Sequence, residues 1–211
     1  MILEGKKIIF LGDSITEGHS VICKDNIFHQ RIKRAYGLSE AHNCGVSGTR
    51  IAKRGEPRPG NHNQELYFAL RATCMPTEAD AIVIFGGTND FGHGDAKLGK
   101  LDDTDVYTFA GAYNTLIAVL REKYPEAKLI AMTPLKRSDM DKPSAAEGLP
   151  LSMYVDMVRA VAKKHGIDVI DLFSMDDIDP FDKTQVVDGL HPGDHGHEIL
   201  AEMVARELVK L

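Results

Sequence analysis

A serine near the amino terminus and an aspartate–histidine pair near the carboxyl terminus are the residues best suited to nucleophilic chemistry. Ser14 follows Gly12 and Asp13, and Asp188 precedes His191 by three residues. Serine is a weak nucleophile at neutral pH and needs a base within hydrogen-bond reach. A carboxylate three residues before a histidine can hold Nδ1 of the ring and leave Nε2 free to act as that base. Taken alone, however, Ser14 is equally well explained as the capping serine of a turn.

Two further segments contain groups that can stabilise the negative charge formed during acyl transfer. Residues 43–49, Asn-Cys-Gly-Val-Ser-Gly-Thr, include Gly45 and Gly48, where the backbone can approach a ligand closely. Residues 86–90, Gly-Gly-Thr-Asn-Asp, include Asn89, whose side-chain amide can donate to an oxyanion. A tight turn explains either segment in isolation. Only their combination with the serine and the histidine indicates a site.

Short apolar runs alternate with segments of helical periodicity, and the runs predict five β-strands. The strands are predicted at residues 7–11, 40–44, 81–85, 128–132 and 168–172. Alternating strands and helices are typical of a parallel sheet with helices on both faces, a three-layer α/β/α sandwich. Ligands bind to such sheets in the crevice at the carboxyl ends of the strands. The serine, glycine and asparagine segments each follow a predicted strand, so we expect them to meet in that crevice.

Three long helices are predicted from apolar residues that recur at three- and four-residue spacing. Thr104 is predicted to cap the first helix, which ends before Pro125. Pro150 suits the first turn of the second helix, and Met153 belongs to its predicted apolar stripe. The third helix is predicted at residues 195–208. These helices would cover the two faces of the sheet.

The order Ser, Gly, Asn and Asp-x-x-His, with each group at a predicted strand–helix junction, resembles the SGNH or GDSL hydrolase family. The resemblance extends from the first strand to the last helix. It implies a flavodoxin-like fold with a five-stranded parallel sheet, and carboxylic ester hydrolysis as the activity. It implies that Ser14 is the nucleophile, that His191 is the general base and later the acid, and that Asp188 orients the ring. The implied oxyanion hole consists of the Ser14 and Gly48 N–H groups and the Asn89 side chain.

The substrate is predicted from the residues beside these motifs and from the loops around them. Asp13, Asp90 and Phe91 adjoin the motifs and are predicted to contact the substrate. The loops that would shape the pocket are predicted at residues 49–63, 90–103 and 137–150. They lack the long apolar run that would bury a fatty acyl chain at about 0.8 kcal/mol per methylene. We therefore expect a short acyl group, acetyl in the first place, on a small polar carrier such as a sugar.

Other functions fit the sequence less well. A thioesterase or lysophospholipase on the same triad is the closest alternative, and a non-catalytic binding module on the same fold is a remote one. A metallohydrolase is equally remote, although residues 188–197 are rich in histidine and aspartate. Pro192 separates His191 from His195 and His197, and no H-E-x-x-H motif is present. No metal and no cofactor are therefore predicted.

Length, charge and cysteine content limit the class of protein. The 211 residues predict a single domain, residues 1–211, and the net charge of −6 argues against nucleic-acid and membrane partners. The predicted partner is a small-molecule ester, and a homo-oligomer is left open. Cys23, Cys44 and Cys74 match no paired motif and are predicted to be buried or half-buried free thiols. The first apolar run is too short for a signal peptide, so a cytoplasmic location is expected.

Overall fold

The computed structural model describes residues 1–55, 65–93 and 96–211, and its centre is a five-stranded sheet. The strands are β1 (Lys7–Gly12), β2 (Glu40–Gly45), β3 (Ala81–Phe85), β4 (Lys128–Met132) and β5 (Asp168–Ile170). All neighbouring strands are parallel, and their order across the sheet is β2-β1-β3-β4-β5. The predicted parallel sheet is therefore confirmed. Residues 56–64 and 94–95, which include parts of two predicted pocket loops, lie outside the described residues.

Helices cover both faces of this sheet. The short ones are α1 (Ser14–Glu17), α3 (Phe68–Ala72) and α4 (Thr88–Gly92), and the longer ones are α2 (Phe28–Tyr36), α5 (Phe109–Lys123), α6 (Leu151–His165) and α7 (Asp194–Leu208). The buried residues form two clusters. One contains residues of α3, α5 and α6, and the other contains residues of α2 and α7. The three-layer α/β fold predicted from the sequence is confirmed.

The central strand β3 shows why this sequence folds into a sheet buried on both faces. Its five residues, Ala-Ile-Val-Ile-Phe, are all buried. Successive side chains of a strand point to opposite faces. Ile82 and Ile84 accordingly pack in the cluster with α3, α5 and α6, whereas Val83 and Phe85 pack in the cluster with α2 and α7. An uninterrupted apolar run is therefore the pattern that a doubly covered strand requires.

Three details differ from the sequence-based expectation. Helix α5 begins at Phe109 rather than after Thr104, because Thr108 caps it by accepting a hydrogen bond from Gly111 N at 3.1 Å. Met153 of α6 is 40% exposed, since the buried face of that helix is formed by Leu151, Tyr154, Val155, Val158, Val161 and Ala162. Strand β5 ends at Ile170, two residues early, because residues 172–174 form a 3₁₀ turn.

The exposure of the three cysteines also differs in part from the sequence-based expectation. All three cysteines are free thiols, but Cys23 and Cys74 are exposed and only Cys44 is half-buried. The expectation of burial was therefore wrong for two of them.

Within the described ranges, no helix combines the length and the apolar character needed to cross a membrane.

Candidate active site

Ser14 lies at the carboxyl edge of the sheet, in the first turn after β1. Asp13 caps the short helix α1 by accepting a hydrogen bond from Ile15 N at 3.0 Å. This cap fixes Ser14 as the first helical residue, and only 5% of the residue is exposed. No acceptor for the Ser14 N–H is found among the described residues. The N–H is therefore available to a ligand.

Ser14, His191 and Asp188 form a continuous hydrogen-bonded chain. The Ser14 Oγ lies 2.9 Å from His191 Nε2, and His191 Nδ1 lies 2.7 Å from Asp188 Oδ2. The other carboxylate oxygen, Oδ1, accepts from His191 N at 2.7 Å and from Leu190 N at 3.0 Å. Partial burial alone would raise the pKa of Asp188, but these hydrogen bonds outweigh it and lower that pKa to about 2. Asp188 is thus an anion at neutral pH, and it fixes the His191 tautomer with a proton on Nδ1.

The turn that carries Asp188 and His191 is fixed by its own backbone. Gly189 has a φ of +86°, a conformation that strains any residue with a side chain. A Cβ at this position would lie 2.2 Å from Ser138 Oγ, so the close approach also requires glycine. The Gly189 carbonyl accepts a hydrogen bond from Ser138 N at 2.9 Å. The turn is therefore attached to the loop after β4.

Gly48 lies on the loop that follows β2, and Asn89 lies in the short helix that follows β3. Gly48 has a φ of +75°, and its N–H has no acceptor among the residues that the structure describes. Asn89 belongs to α4 and is 5% exposed. One hydrogen of its side-chain amide is donated to the Thr49 carbonyl at 2.9 Å. The second amide hydrogen remains for another acceptor.

Comparison with known proteins identifies the family of the chain. The sequence profile of the GDSL-like lipase/acylhydrolase family matches residues 10–199, which is most of the chain. The chain belongs to this family. The name of the family denotes carboxylic ester hydrolases, the reaction class expected from the motifs.

Individual relatives of this GDSL-like chain are distant in sequence. A GDSL lipase of Mycobacterium tuberculosis is 27% identical over 75% of the chain, and the match spans 65% of that relative's length. A solved structure from Lactobacillus plantarum is 25% identical, covers 98% of both chains and has a TM-score of 0.81. The lipase/acylhydrolase of Enterococcus faecalis is 24% identical, with a TM-score of 0.62, 96% of this chain covered and 95% of that chain. At 24% identity, the similarity to the Enterococcus faecalis protein shows a shared fold and nothing further.

Asp13, Asp90 and Phe91, which were expected to contact substrate, are buried in the scaffold of this GDSL-like protein. Asp13 is 2% exposed and caps α1, as described above. Asp90 is completely buried and accepts hydrogen bonds from Ala52 N at 2.9 Å and Ile51 N at 3.1 Å. Phe91 is 4% exposed and packs against Tyr154, with 6.0 Å between the ring centroids. All three side chains therefore have roles in the scaffold, and their contact with substrate stays a prediction, since Ser14 and Asn89 are themselves only 5% exposed.

Burial also sets the charge of the two carboxyl groups. It raises the pKa of Asp13 to about 7, and it raises the pKa of Asp90 despite the nearby Arg50 guanidinium. The negative charge of Asp90 also contributes to the raised pKa of Asp13. Both carboxyl groups therefore belong to the structural support of the site.

Two buried arginines hold the loops of the site together, and sequence reasoning missed both. The Arg71 guanidinium donates to the Gly12 carbonyl at 2.9 Å, to Thr49 Oγ1 at 2.7 Å and to the Cys44 carbonyl. It thereby joins the ends of β1 and β2 to the loop that bears Gly48. Burial lowers the pKa of Arg71 to about 10, which leaves it cationic at neutral pH.

The second arginine, Arg137, acts on the other side of the crevice. Its Nη1 donates to both the carbonyl and Oγ1 of Thr88, each at 3.1 Å. Thr88 directly precedes Asn89 in α4. The next residue, Ser138, donates a hydrogen bond to Gly189 in the turn that carries His191. Residues 137–138 therefore connect the helix of Asn89 to the turn of His191.

The histidines considered for a metal site are separated in the structure. His195 lies on the surface beside Glu198, with 3.4 Å between Nδ1 and the carboxylate. His197 is completely buried, and its Nδ1 accepts a hydrogen bond from Phe28 N at 3.2 Å. Across the described part of the chain, no group of three or more histidine, cysteine, aspartate or glutamate residues is placed to hold a metal ion.

Proposed function

We propose that this chain is a carboxylic ester hydrolase in which Ser14 is the nucleophile and His191, oriented by Asp188, is the general base. The observation that carries the proposal is the hydrogen-bonded chain of 2.9 Å and 2.7 Å through the two ring nitrogens of His191. A base within hydrogen-bond reach of a serine, itself oriented by a carboxylate, is the arrangement that activates a hydroxyl. Membership of the GDSL-like lipase/acylhydrolase family supports the same chemistry.

The proposed reaction has two halves. Ser14 Oγ attacks the ester carbonyl carbon while its proton passes to His191 Nε2. The tetrahedral intermediate then expels the alcohol, which takes that proton, and an acyl-serine remains. In the second half His191 removes a proton from water, the resulting hydroxide attacks the acyl group, and the protonated ring returns the proton to Ser14 Oγ as the carboxylic acid leaves.

The oxyanion of both tetrahedral intermediates is proposed to be stabilised by three donors from the segments that follow β1, β2 and β3. They are the N–H groups of Ser14 and Gly48, which have no acceptor among the described residues, and the second amide hydrogen of Asn89. Donors fixed before the reaction need no reorganisation when the charge develops. Arg71 and Arg137 support this arrangement, because they hold the loops of Gly48 and Asn89 through buried hydrogen bonds.

The proposed substrate is an ester of a short acyl group, acetyl in the first place, on a small polar carrier. The described residues of the predicted pocket loops contain no run of more than two apolar residues, which supports a short acyl group. A specific observation favours a longer chain as the second candidate. Ile22 is 94% exposed and Val187 is 51% exposed, and Val187 N donates to the His191 carbonyl at 2.9 Å. Exposed aliphatic side chains so near the base would suit a thioesterase or lysophospholipase.

A series of p-nitrophenyl esters from acetyl to palmitoyl tests the proposal, with wild type, Ser14→Ala and Ser39→Ala compared in parallel. Ser39 is an exposed serine directly before β2, at the opposite edge of the sheet from Ser14, so it is a matched control. We expect activity that depends on Ser14, is unaffected by Ser39→Ala and is highest with acetyl. A maximum at longer chains would favour the second candidate. Absence of Ser14-dependent hydrolysis would overturn the proposal in favour of a binding module.

A further inference from the structure

A second histidine, His19, lies directly against the ring of His191. The two ring centroids are 4.4 Å apart and the planes are inclined by 53°. His19 is an exposed residue on the loop that follows α1, five positions after Ser14. Its backbone N donates to the Ser14 carbonyl at 2.9 Å. The segment of the nucleophile therefore also carries a side chain that covers one face of the base.

The loop holds His19 in place through an unfavourable backbone conformation. Gly18 ends α1 with a φ of +85°, and Ser20 follows His19 with a φ of +68°. Ser20 is the only residue other than glycine with a positive φ among those the structure describes. Such conformations are found where the surrounding structure enforces them, often at functional sites. The side chain between these two residues is thus directed by the loop itself.

The other end of the loop is attached to the segment of the base. Asp194, three residues after His191, accepts hydrogen bonds from Ile22 N at 3.0 Å and from Asn26 Nδ2 at 2.5 Å. The loop is therefore fixed both to the carbonyl of Ser14 and to the first turn of α7. Its two attachments keep His19 against the ring of His191.

We propose that His19 is a positioning residue that keeps the His191 ring aligned during the second half of the reaction. This inference rests on the proposed function. In the free enzyme three contacts restrain the ring, namely Asp188 at Nδ1, Ser14 at Nε2 and His19 on one face. Acylation converts Ser14 Oγ into an ester oxygen, which has no proton to donate to Nε2. Of these three contacts, those with Asp188 and His19 then remain while the ring must orient a water molecule.

The kinetic consequence is specific to deacylation. The ring contact matters least while Ser14 still holds Nε2 and most when the acyl group has removed that hydrogen bond. Loss of His19 is therefore expected to slow the release of the acyl group more than its transfer to Ser14. With p-nitrophenyl acetate, kcat depends on both halves of the reaction and falls once deacylation becomes the slower one, whereas kcat/KM reports steps up to acylation.

The test compares His19→Ala, His19→Phe and His195→Ala with wild type in steady-state and rapid-mixing assays with p-nitrophenyl acetate. His195 is an exposed histidine on α7 that contacts neither Ser14 nor His191, so it controls for loss of a surface imidazole. We expect His19→Ala to lower kcat about tenfold, to lower kcat/KM less than about threefold and to produce a burst of p-nitrophenol. His19→Phe, which keeps a planar ring, should restore kcat to within about twofold of wild type. His195→Ala should behave as wild type.

An NMR measurement separates this inference from the proposed function. The proton between His191 Nδ1 and Asp188 is observable without substrate, and we expect it to exchange faster with water in His19→Ala than in wild type or His19→Phe. Equal kcat, burst and exchange in His19→Ala and wild type would overturn the inference. So would a His19→Phe variant as slow as His19→Ala, because the imidazole rather than the packed ring would then be required. Failure of the proposed function would show differently, as hydrolysis that persists in Ser14→Ala.

Discussion

Asn89 donates its side-chain amide to the Thr49 carbonyl over 2.9 Å, which joins the residue after β3 to the loop after β2. One hydrogen of the amide is used by the scaffold, and the other is left for the crevice. The same side chain therefore holds the loop of Gly48 and keeps one amide hydrogen for the oxyanion that we propose it stabilises. Asn89 thus has a structural hydrogen bond and a proposed catalytic one in the same amide group.

The Asn89→Ala substitution should reduce turnover far more than it reduces stability. Removal of one oxyanion donor typically slows acyl transfer by about a hundred- to a thousandfold. The substitution also leaves the buried Thr49 carbonyl without this donor, at a cost of about 1–3 kcal/mol in the free energy of unfolding. Kinetics with p-nitrophenyl acetate and a urea melt of the same sample separate the two effects. A folded variant with unchanged turnover would remove Asn89 from the site.

The Asp188→Asn substitution should abolish most of the activity while the turn is retained. Because hydrogen bonds hold the pKa of Asp188 at about 2, the wild-type carboxylate stays charged throughout the neutral range. An amide in its place favours the His191 tautomer with the proton on Nε2, which cannot accept the proton of Ser14. We expect turnover to fall by about ten thousandfold.

A matched aspartate provides the control for this substitution. Asp176→Asn alters a carboxylate that is paired with Lys136 and has 90% of its side chain exposed. Turnover should be unaffected there. If Asp188→Asn kept activity within about tenfold of wild type, orientation of the base by Asp188 would be excluded.

The elements of the fold were predictable because each has a local signature. The uninterrupted apolar run of β3 predicted its bounds, residues 81–85, without error. The start of α5 was misplaced, because Thr104 and Thr108 are both suitable caps, and only the contact of Gly111 with Thr108 selects the second. Periodicity likewise placed Met153 on the buried side of α6, although packing turns another face inward. Where the sequence allows two helix caps or two buried faces, tertiary contacts determine which one the folded protein uses.

Ser14, His191 and Asp188 were predictable for a different reason, since each belongs to a short motif at a strand or helix end. The role of Arg71 was not predictable, because all but one of its acceptors are backbone carbonyls. Every residue has a backbone carbonyl, so the sequence does not indicate which ones an arginine will bind. The contact of His19 with His191 depends on the left-handed backbone on both sides of His19. No sequence pattern reports that conformation at Ser20. The site's supporting residues therefore had to come from the structure.

Two buried histidines should make the protein less stable in mild acid. Burial lowers the pKa of His29 to about 4 and that of His197 to about 3. The unfolded chain takes up these protons near pH 6.5, whereas the folded protein does not until a much lower pH. Stability is therefore lost as the pH falls from about 6.5 towards 4.

The His29→Gln substitution tests this contribution. Glutamine can still donate to the Thr16 carbonyl, which His29 Nε2 contacts at 3.0 Å. It has no proton to gain in this range. From pH 7 to pH 5 we expect the free energy of unfolding of the variant to fall by about 2 kcal/mol less than that of wild type. Urea denaturation at both pH values measures the difference, and equal losses would show that His29 becomes protonated in the folded protein.

The buried Asp13 should have the opposite effect in the same pH range. Burial raises its pKa to about 7 from an ordinary value of 3.8. Between these values the folded protein holds a proton that the unfolded chain has released, so this group stabilises the fold as the pH falls and destabilises it as the pH rises. Asparagine at this position keeps the oxygen that accepts from Ile15 N, but it cannot take up a proton.

The Asp13→Asn variant should therefore lose about 2 kcal/mol more than wild type when the pH is lowered from 7 to 5. The two variants would then lie on opposite sides of wild type in the same urea experiment, with His29→Gln less sensitive to acid and Asp13→Asn more sensitive. A general weakening of the fold would move both in one direction, so the opposite signs are the decisive result. An Asp13→Asn variant that lost no more than wild type would show that Asp13 stays ionised in the folded protein down to pH 5, in spite of its burial.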